Sequence, residues 1–243
     1  MGQEAEMQFS DDAEDVPEGG TDVADVNQFS TDAAGEGEES TEQGEQIGDN
    51  VYVKFENDIA TISGTGAMYD YYENGYDYTN KHKNPFIGKS GIQKVIIEDG
   101  ITNVSDLLLN GYGYKSSIKE ISLGQSIKRI GKRAFYDCDN VKSIVLPTGL
   151  EEIEVGAFKK CGIEAIKIPD SVKQIRDDCF FHCTELQSVT LPSELQEIGS
   201  RAFAGCHSLT SILLPVSLIS MNDNAFNAVS YTHLRAHETL SDL

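Results

Sequence analysis

Thiols and imidazoles crowd one stretch of this 243-residue chain: Cys179-Phe180-Phe181-His182-Cys183, with Cys206-His207 following. Such a set could bind zinc or activate a nucleophile. A structural zinc site needs four converging ligands, usually from paired Cys-x-x-Cys spacings. No such pair exists here, and no metal is expected. The cysteines number five, so at least one stays unpaired. A disulfide between neighbouring units would need its Cα atoms within bridging range. The expectation is free, buried thiols that behave as small hydrophobes.

Hydrolytic chemistry fares no better. The histidines are His82, His182, His207, His233 and His237. His182 and His207 sit at similar-looking positions near solvent turns, with no carboxylate at a fixed partner spacing. The chain has neither a Gly-x-Ser-x-Gly elbow nor a His-Glu-x-x-His pair. Glu151-Glu152 and Asp177-Asp178 lie in turn-like segments, whereas glycoside hydrolysis needs two carboxylates facing across a cleft. No catalytic residue and no cofactor are expected, and the chain reads as a non-enzyme.

What positions these residues is a repeat. Phe135, Phe158, Phe180, Phe203 and Phe226 recur at intervals of 23, 22, 23 and 23 residues, and Pro147, Pro169, Pro192 and Pro215 at 22, 23 and 23. Cys138, Cys161, Cys183 and Cys206 each follow a repeat Phe by three residues. The cysteines therefore recur because the unit recurs. The single 22 arises where Cys161-Gly162-Ile163 is one residue shorter than its counterpart. Three ladders in register signal a solenoid, in which no unit covers its own apolar face and stacking builds the core. Within a unit, a short strand such as Ile144-Val145-Leu146-Pro147 ends at a Pro that cannot donate to a ladder. A second apolar pair follows (Leu150/Ile153, Val172/Ile175, Leu195/Ile198), then the Ala-Phe turn. Degenerate units begin at Lys94 and Glu120, and Asn110-Gly111-Tyr112-Gly113-Tyr114 stands where an Ala-Phe turn is expected.

Upstream, Val51–Phe55 and Ile59–Ile62 alternate around Asn57-Asp58, a β-hairpin pattern. A Tyr-dense loop with Tyr69, Tyr71, Tyr72, Tyr76 and Tyr78 follows, suited to covering the open end of the first unit. The first 50 residues hold 16 of the 40 acidic residues and no Lys or Arg, leaving 24 acids against 19 bases in the rest. The acidic stretch cannot bury enough apolar surface to order itself and reads as a solvated spacer. It lacks the ligand pattern of a calcium loop. No basic footprint for nucleic acid exists, and no apolar run spans a bilayer. The expected organisation is a disordered acidic spacer over 1–48, a hairpin and Tyr-rich cap over 49–92, a solenoid of five to six units over 93–228, and a tail over 229–243.

The units Val141–Cys161 and Leu186–Cys206 resemble the BspA-like class of bacterial leucine-rich repeats, whose pattern reads roughly Leu-x-x-Ile-x-Leu-Pro, then Leu-x-x-Ile-Gly-x-x-Ala-Phe-x-x-Cys. The segment Ile62–Met68 is similar to one that precedes the repeats in many members. Cys179 stands where Ala is usual, and Asp177-Asp178 replaces the Gly neighbourhood. The resemblance implies an α/β leucine-rich repeat solenoid, β-rich, with short strands joined by turns or short helices. It also implies a secreted or cell-surface bacterial protein with an adhesive role, and it transfers no catalytic residue. Residues 229–243 match one reading frame of a transposase-derived sequencing adapter, so the native array is expected to run only to about Ala228 within this chain.

What is left for function is surface. Side chains alternate along a strand, so Ser122, Ser143 with Val145, Ala165 with Lys167, Ser188 with Thr190, and Ser211 with Leu213 point outward. The candidate binding residues are Ser143, Val145, Lys167, Ser188, Thr190, Ser211 and Leu213, with Tyr71, Tyr72 and Tyr76 from the aromatic loop. The expected partner is a protein or glycan on host or neighbouring cells. The other reading is a docking module of a larger secreted enzyme, a cell-wall hydrolase or protease, whose catalytic domain lies outside this chain.

Overall fold

The structure, a computed structural model, describes residues 43–72, 82–110, 117–222 and 224–229, and the backbone of His233–Ala236. All belong to the second of two units of the chain, Glu39–Leu243. Val51, Val53, Ala60 and Ile62 alternate inward, and their strands β2 (Val51–Glu56) and β3 (Ile59–Gly64) form the expected antiparallel hairpin. Its tight turn is made by Asn57, with a φ of 55°. A further strand, β1 (Glu45–Gly48), pairs antiparallel with β2, so ordered structure begins inside the stretch assigned to the spacer. Ile47, fully buried, is the residue that anchors β1.

The hairpin runs directly into the solenoid, because β3 pairs in parallel with β4 (Lys94–Ile97). The remaining strands are β5 (Asn103–Val104), β6 (Glu120–Leu123), β7 (Arg129–Ile130), β8 (Glu152–Ile153), β9 (Ala165–Lys167), β10 (Gln174–Ile175), β11 (Ser188–Thr190), β12 (Glu197–Ile198), β13 (Ser211–Leu214), β14 (Ser220–Met221) and β15 (His233–Ala236). They stack as parallel ladders along two sides of the coil. One side carries β4 with β6, then β9 with β11, then β13 with β15. The other carries β5, β7 and β8, then β10, β12 and β14. The backbone of His233–Ala236 thus continues the strand side past Ala228, although its sequence lacks the repeat's apolar period.

The third side is the Phe turn, and here the α/β expectation is corrected: no helix occurs among the described residues. Two residues in each turn from Phe135 to Phe203, and one in the turn of Phe226, adopt the left-handed conformation. At two positions before the Phe they are Arg133, Gly156, Asp178 and Arg201, and at two positions after it Asp137, Lys160, His182, Gly205 and Ala228, with φ between 51° and 74°. Left-handed residues break the i→i+4 pattern. Their N–H groups, and that of the Phe between them, point instead to the next unit, as from Arg133 to the Val155 carbonyl (3.0 Å), Phe135 to Ala157 (2.9 Å) and Asp137 to Lys159 (2.9 Å). The same three-bond ladder repeats from Gly156, Phe158 and Lys160. The main-chain strain is offset by hydrogen bonds that recur in every turn.

The core is the repeat itself. Phe135, Phe158, Phe180 and Phe203 are fully buried, with Leu150, Val172 and Leu195 beside them. Leu107, also left-handed, and Leu109 donate their N–H groups to the Lys132 and Ala134 carbonyls (2.8 and 2.9 Å). Leu108-Leu109 therefore occupy the Ala-Phe position, and Asn110-Gly111-Tyr112-Gly113-Tyr114 follows that turn rather than replacing it; residues 111–116 lie outside the described residues.

Candidate functional site

On the strand side, alternation buries Ile144, Leu146, Ile166, Ile168 and Ile212 and leaves Ser143, Val145, Ala165, Lys167, Ser188, Thr190, Ser211 and Leu213 exposed. Most of this row is small and polar. Val145 departs from it, being apolar and 79% exposed. Pro147, Pro169, Pro192 and Pro215 close each strand, and the turns beyond them are braced between units. Asp170 Oδ1 accepts the Ser193 N–H and Oγ–H at 2.9 and 3.1 Å, which holds the Asp170 carboxyl below the usual carboxylate range. Ser171 Oγ donates to the Leu150 carbonyl, and Ser217 Oγ to the Leu195 carbonyl at 2.7 Å.

The aromatic candidates divide. Tyr72 is 55% exposed, whereas Tyr71 is only 2% exposed and belongs to the core. Tyr71 is drawn inward because its N–H reaches the Asp106 carbonyl (3.4 Å) on the first turn of the array. Its ring is therefore corrected from a surface contact to part of the end covering. Tyr76 lies outside the described residues. Nearby, Tyr69 stacks on His82 with ring centroids 4.1 Å apart and donates its hydroxyl to Asp49 Oδ1 at 3.1 Å.

Two buried polar residues that sequence reasoning missed hold the end of the array. Asn84 donates its amide to the Leu107 and Leu108 carbonyls (3.0 and 3.1 Å) and accepts the Phe86 N–H (2.9 Å). Asn103 exchanges two bonds with the Met68 backbone. The Asn84 bonds serve carbonyls of the first Phe-type turn, and the Asn103 bonds tie the segment before the array to β5. The only signal for them is an Asn directly before Pro85 and an Asn among apolar neighbours. Arg129 adds a charged clasp to Asp106 (2.5 Å) and Asp70 (3.3 Å).

The thiols have no solvent access. Burial pushes Cys161 and Cys206 up to about 12 and raises Cys179 and Cys183 as well. Cys161, Cys183 and Cys206 donate their Sγ–H to the carbonyls of Cys138, Phe158 and Phe180, which also favours the protonated form. All five are free. A protonated, enclosed thiol is neither a nucleophile nor a metal ligand. His182 and His207 are not equivalent. His182 is the second left-handed residue of its turn and His207 lies beyond Cys206, their ring centroids 6.4 Å apart. Burial lowers the pKa of His182, aided by His207, Lys160 and Lys159. Among the described residues, no three His, Cys, Asp or Glu side chains converge on a metal position. Asp178 instead bridges Lys159 (3.1 Å) and Arg201 (2.9 Å), both of which lie over the Phe181 ring. Neighbouring turns are tied together by this arrangement, which brings no reactive group to the surface.

A family model described as BspA type leucine rich repeat region matches residues 110–233 in six copies. Among solved structures, a leucine-rich repeat protein from Bacteroides ovatus is 25% identical with a TM-score of 0.57, over 78% of this chain and 52% of that one. A leucine rich cell surface protein from Faecalibacterium prausnitzii is 24% identical with a TM-score of 0.56, over 78% and 53%. The pneumococcal vaccine antigen PcpA is 21% identical with a TM-score of 0.52, over 79% and 49%. The chain thus spans about half the length of these relatives. A search of the curated proteins returned no match. Among the described residues, no helix is long and apolar enough to cross a membrane.

Proposed function

The chain belongs to the BspA-type leucine-rich repeat family, and from that premise we propose that it is a non-enzymatic protein-binding module of an exported, cell-surface bacterial protein. Its strand side would contact proteins on host or neighbouring cells. The observation that supports this most is the exposed row Ser143, Val145, Lys167, Ser188, Thr190, Ser211 and Leu213, laid over a core that holds it rigid. Small polar groups adapt to a partner's hydrogen bonds, and the two apolar residues supply contact area. Stacked units extend this row over successive strands, the surface that solenoids use for recognition. Tyr72 is a further contact at the capped end.

Beads coated with the chain test this reading on cultured epithelial cells. Attachment is expected to be saturable, to disappear when the cells are treated with trypsin, and to be lost in a Ser143→Arg/Ser188→Arg/Ser211→Arg variant. Attachment that survives these three substitutions overturns the strand side as the contact surface. Cell-surface display is tested by protease shaving of intact bacteria that carry the gene.

A further inference from the structure

The strand side is not one continuous sheet, since β4 with β6, β9 with β11 and β13 with β15 form separate ladders. One of its breaks lies between the unit of Ile144 and the unit of Ile166. The bridge Ser143↔Ala165 and the bond from the Glu164 N–H to the Lys142 carbonyl (3.0 Å) join them at one end. Beyond that point, among the described residues, no backbone hydrogen bond links residues 144–147 to residues 166–169. β9 pairs with β11 on its other edge, and the Ile168 N–H goes to the Thr190 carbonyl (3.0 Å). A cavity of about 370 Å³ lies at this break, lined by Ile144, Val145, Leu146 and Pro169, with Lys167 and Asp170 as its charged groups.

We propose that this cavity is the anchor point of the strand side, taking bulky apolar side chains of an extended protein segment while Lys167 and Asp170 hold the segment's main chain. The inference rests on the binding reading above and names its partner chemistry. The volume is at the small end of ligand sites, enough for one or two side chains and too small for a folded element. The charged groups are one cation and one anion, so the cavity complements neither a polyanion nor a polycation. A peptide main chain offers what they need: a carbonyl to accept from Lys167 Nζ and an N–H to donate to Asp170. Lys142, Lys159 and Lys173 are tied to Glu185, Asp178 and Glu194, whereas Lys167 makes no ion pair among the described residues. The Ser193 bonds hold Asp170 ionised, an acceptor at neutral pH. Val145, so exposed within a polar row, is the kind of apolar residue that becomes a hot spot when a partner desolvates it.

The full chain, labelled with ¹⁵N, is titrated with the capped peptide acetyl-Gly-Leu-Phe-Gly-amide and followed by amide shifts. Saturable shifts are expected at Val145, Leu146, Lys167 and Asp170, with an affinity little changed between about 50 and about 500 mM salt. Val145→Lys, at an exposed position that leaves the fold intact, is expected to weaken binding by about tenfold. A Ser220→Lys variant, at an exposed position of β14 on the other ladder, is expected to bind as the parent does. Shifts confined to Ser188, Thr190 and Ser211 overturn the cavity as anchor and leave the wider strand-side reading standing. Shifts at the cavity only with acetyl-Gly-Glu-Glu-Gly-amide, weakening with salt, overturn it in favour of an isolated cationic site. The absence of any shift at about 10 mM peptide, roughly ten times a weak millimolar Kd, also overturns it, while the attachment assay judges the wider reading separately.

Discussion

The rings of Phe158 and Phe180 stack 5.3 Å apart and within 2° of parallel. Phe180 on Phe203 and Phe203 on Phe226 repeat the relationship at 5.2 and 5.1 Å. The spacing lies slightly above the 4.7–4.9 Å between hydrogen-bonded strands, because the backbone ladder sets the rise and the rings ride on it. Each interior Phe therefore serves two interfaces between units, and the array behaves as a chain of nearest-neighbour couplings.

Replacing Phe180 with Ala opens a cavity between the turns of Phe158 and Phe203. The expected cost is about 3–5 kcal/mol, whereas Phe180→Leu, which keeps most of the volume, is expected to cost less. Urea denaturation of both variants measures the difference. A Phe180→Ala loss under about 1 kcal/mol, the size of a surface substitution, would show that the stack is not what couples the units.

The buried thiols make stability fall in alkali. An unfolded thiol titrates near 8.5, while Cys161 and Cys206 titrate at about 12 in the fold. Between these values the native state holds protons that the unfolded chain has released, so the contribution is complete below about pH 8.5 and is lost as pH rises towards 12. Each thiol contributes about 1.4 kcal/mol per pH unit in that window. Thermal melts from about pH 8 to about pH 10.5 should show a shallower decline in Cys206→Val than in the parent. Thiol reagents should label the native protein only after it unfolds, and rapid labelling at neutral pH would contradict the burial.

Periodicity made the stacked units legible, because Phe, Pro and Cys recur wherever the coil needs a ring, a ladder stop and a small filler. Alternation likewise gave the outward row from Ser143 to Leu213. The turn conformation was hidden, since Arg133, Lys160, Asp178 and His182 are not residues that announce a left-handed backbone. The bonds between units impose it, and no local sequence encodes them. β1 was hidden within acid-rich sequence, where only Ile47 marks a buried position. The Tyr-rich pattern identified an end covering without showing that Tyr71 turns in and Tyr72 turns out.

Gly162 explains the one short unit. A Cβ on it would meet the Asp139 carbonyl oxygen at 1.9 Å, and its N–H bonds the Cys138 carbonyl at 3.1 Å. Dropping a residue pulls the two backbones together, and only Gly fits the approach. Gly149 faces nothing nearer than the flexible end of Lys128, at 3.1 Å. Gly162→Ala is expected to cost about 2–4 kcal/mol as an overpacked core site. Gly149→Ala is expected to lie within about 1 kcal/mol of the parent, through the unfolded state. Equal melting temperatures for the two variants would refute the close-approach account.

Asn84 carries the end covering. Asn84→Leu keeps the volume but removes the side-chain donor to the Leu108 carbonyl and leaves the Leu107 carbonyl with the Asn110 N–H alone, so a loss of about 1–3 kcal/mol is expected. Hydrogen exchange should localise the effect. Amides of the first units are expected to exchange faster, while those around Phe180 and Phe203 keep their protection. Uniform acceleration along the whole array would mean that the cap and the solenoid unfold together.

The last described unit breaks the outward pattern of its predecessors. Val216 and Ile219, 69% and 80% exposed, stand at the positions of Ser193 and Gln196. Both face outward, so a further unit stacked beyond them would not bury them as it would Met221, which stands at the inward position of Ile198. With Leu213, 55% exposed, they add apolar surface to this unit, which favours self-association. Val216→Ser with Ile219→Gln restores the polar pattern and removes no core contact. The double variant is expected to remain within about 0.5 kcal/mol of the parent in stability. It should also stay monodisperse at concentrations where the parent associates, as read by light scattering. Unchanged association would move its cause to the inward residues around Met221 and Leu218 at the end of the stack.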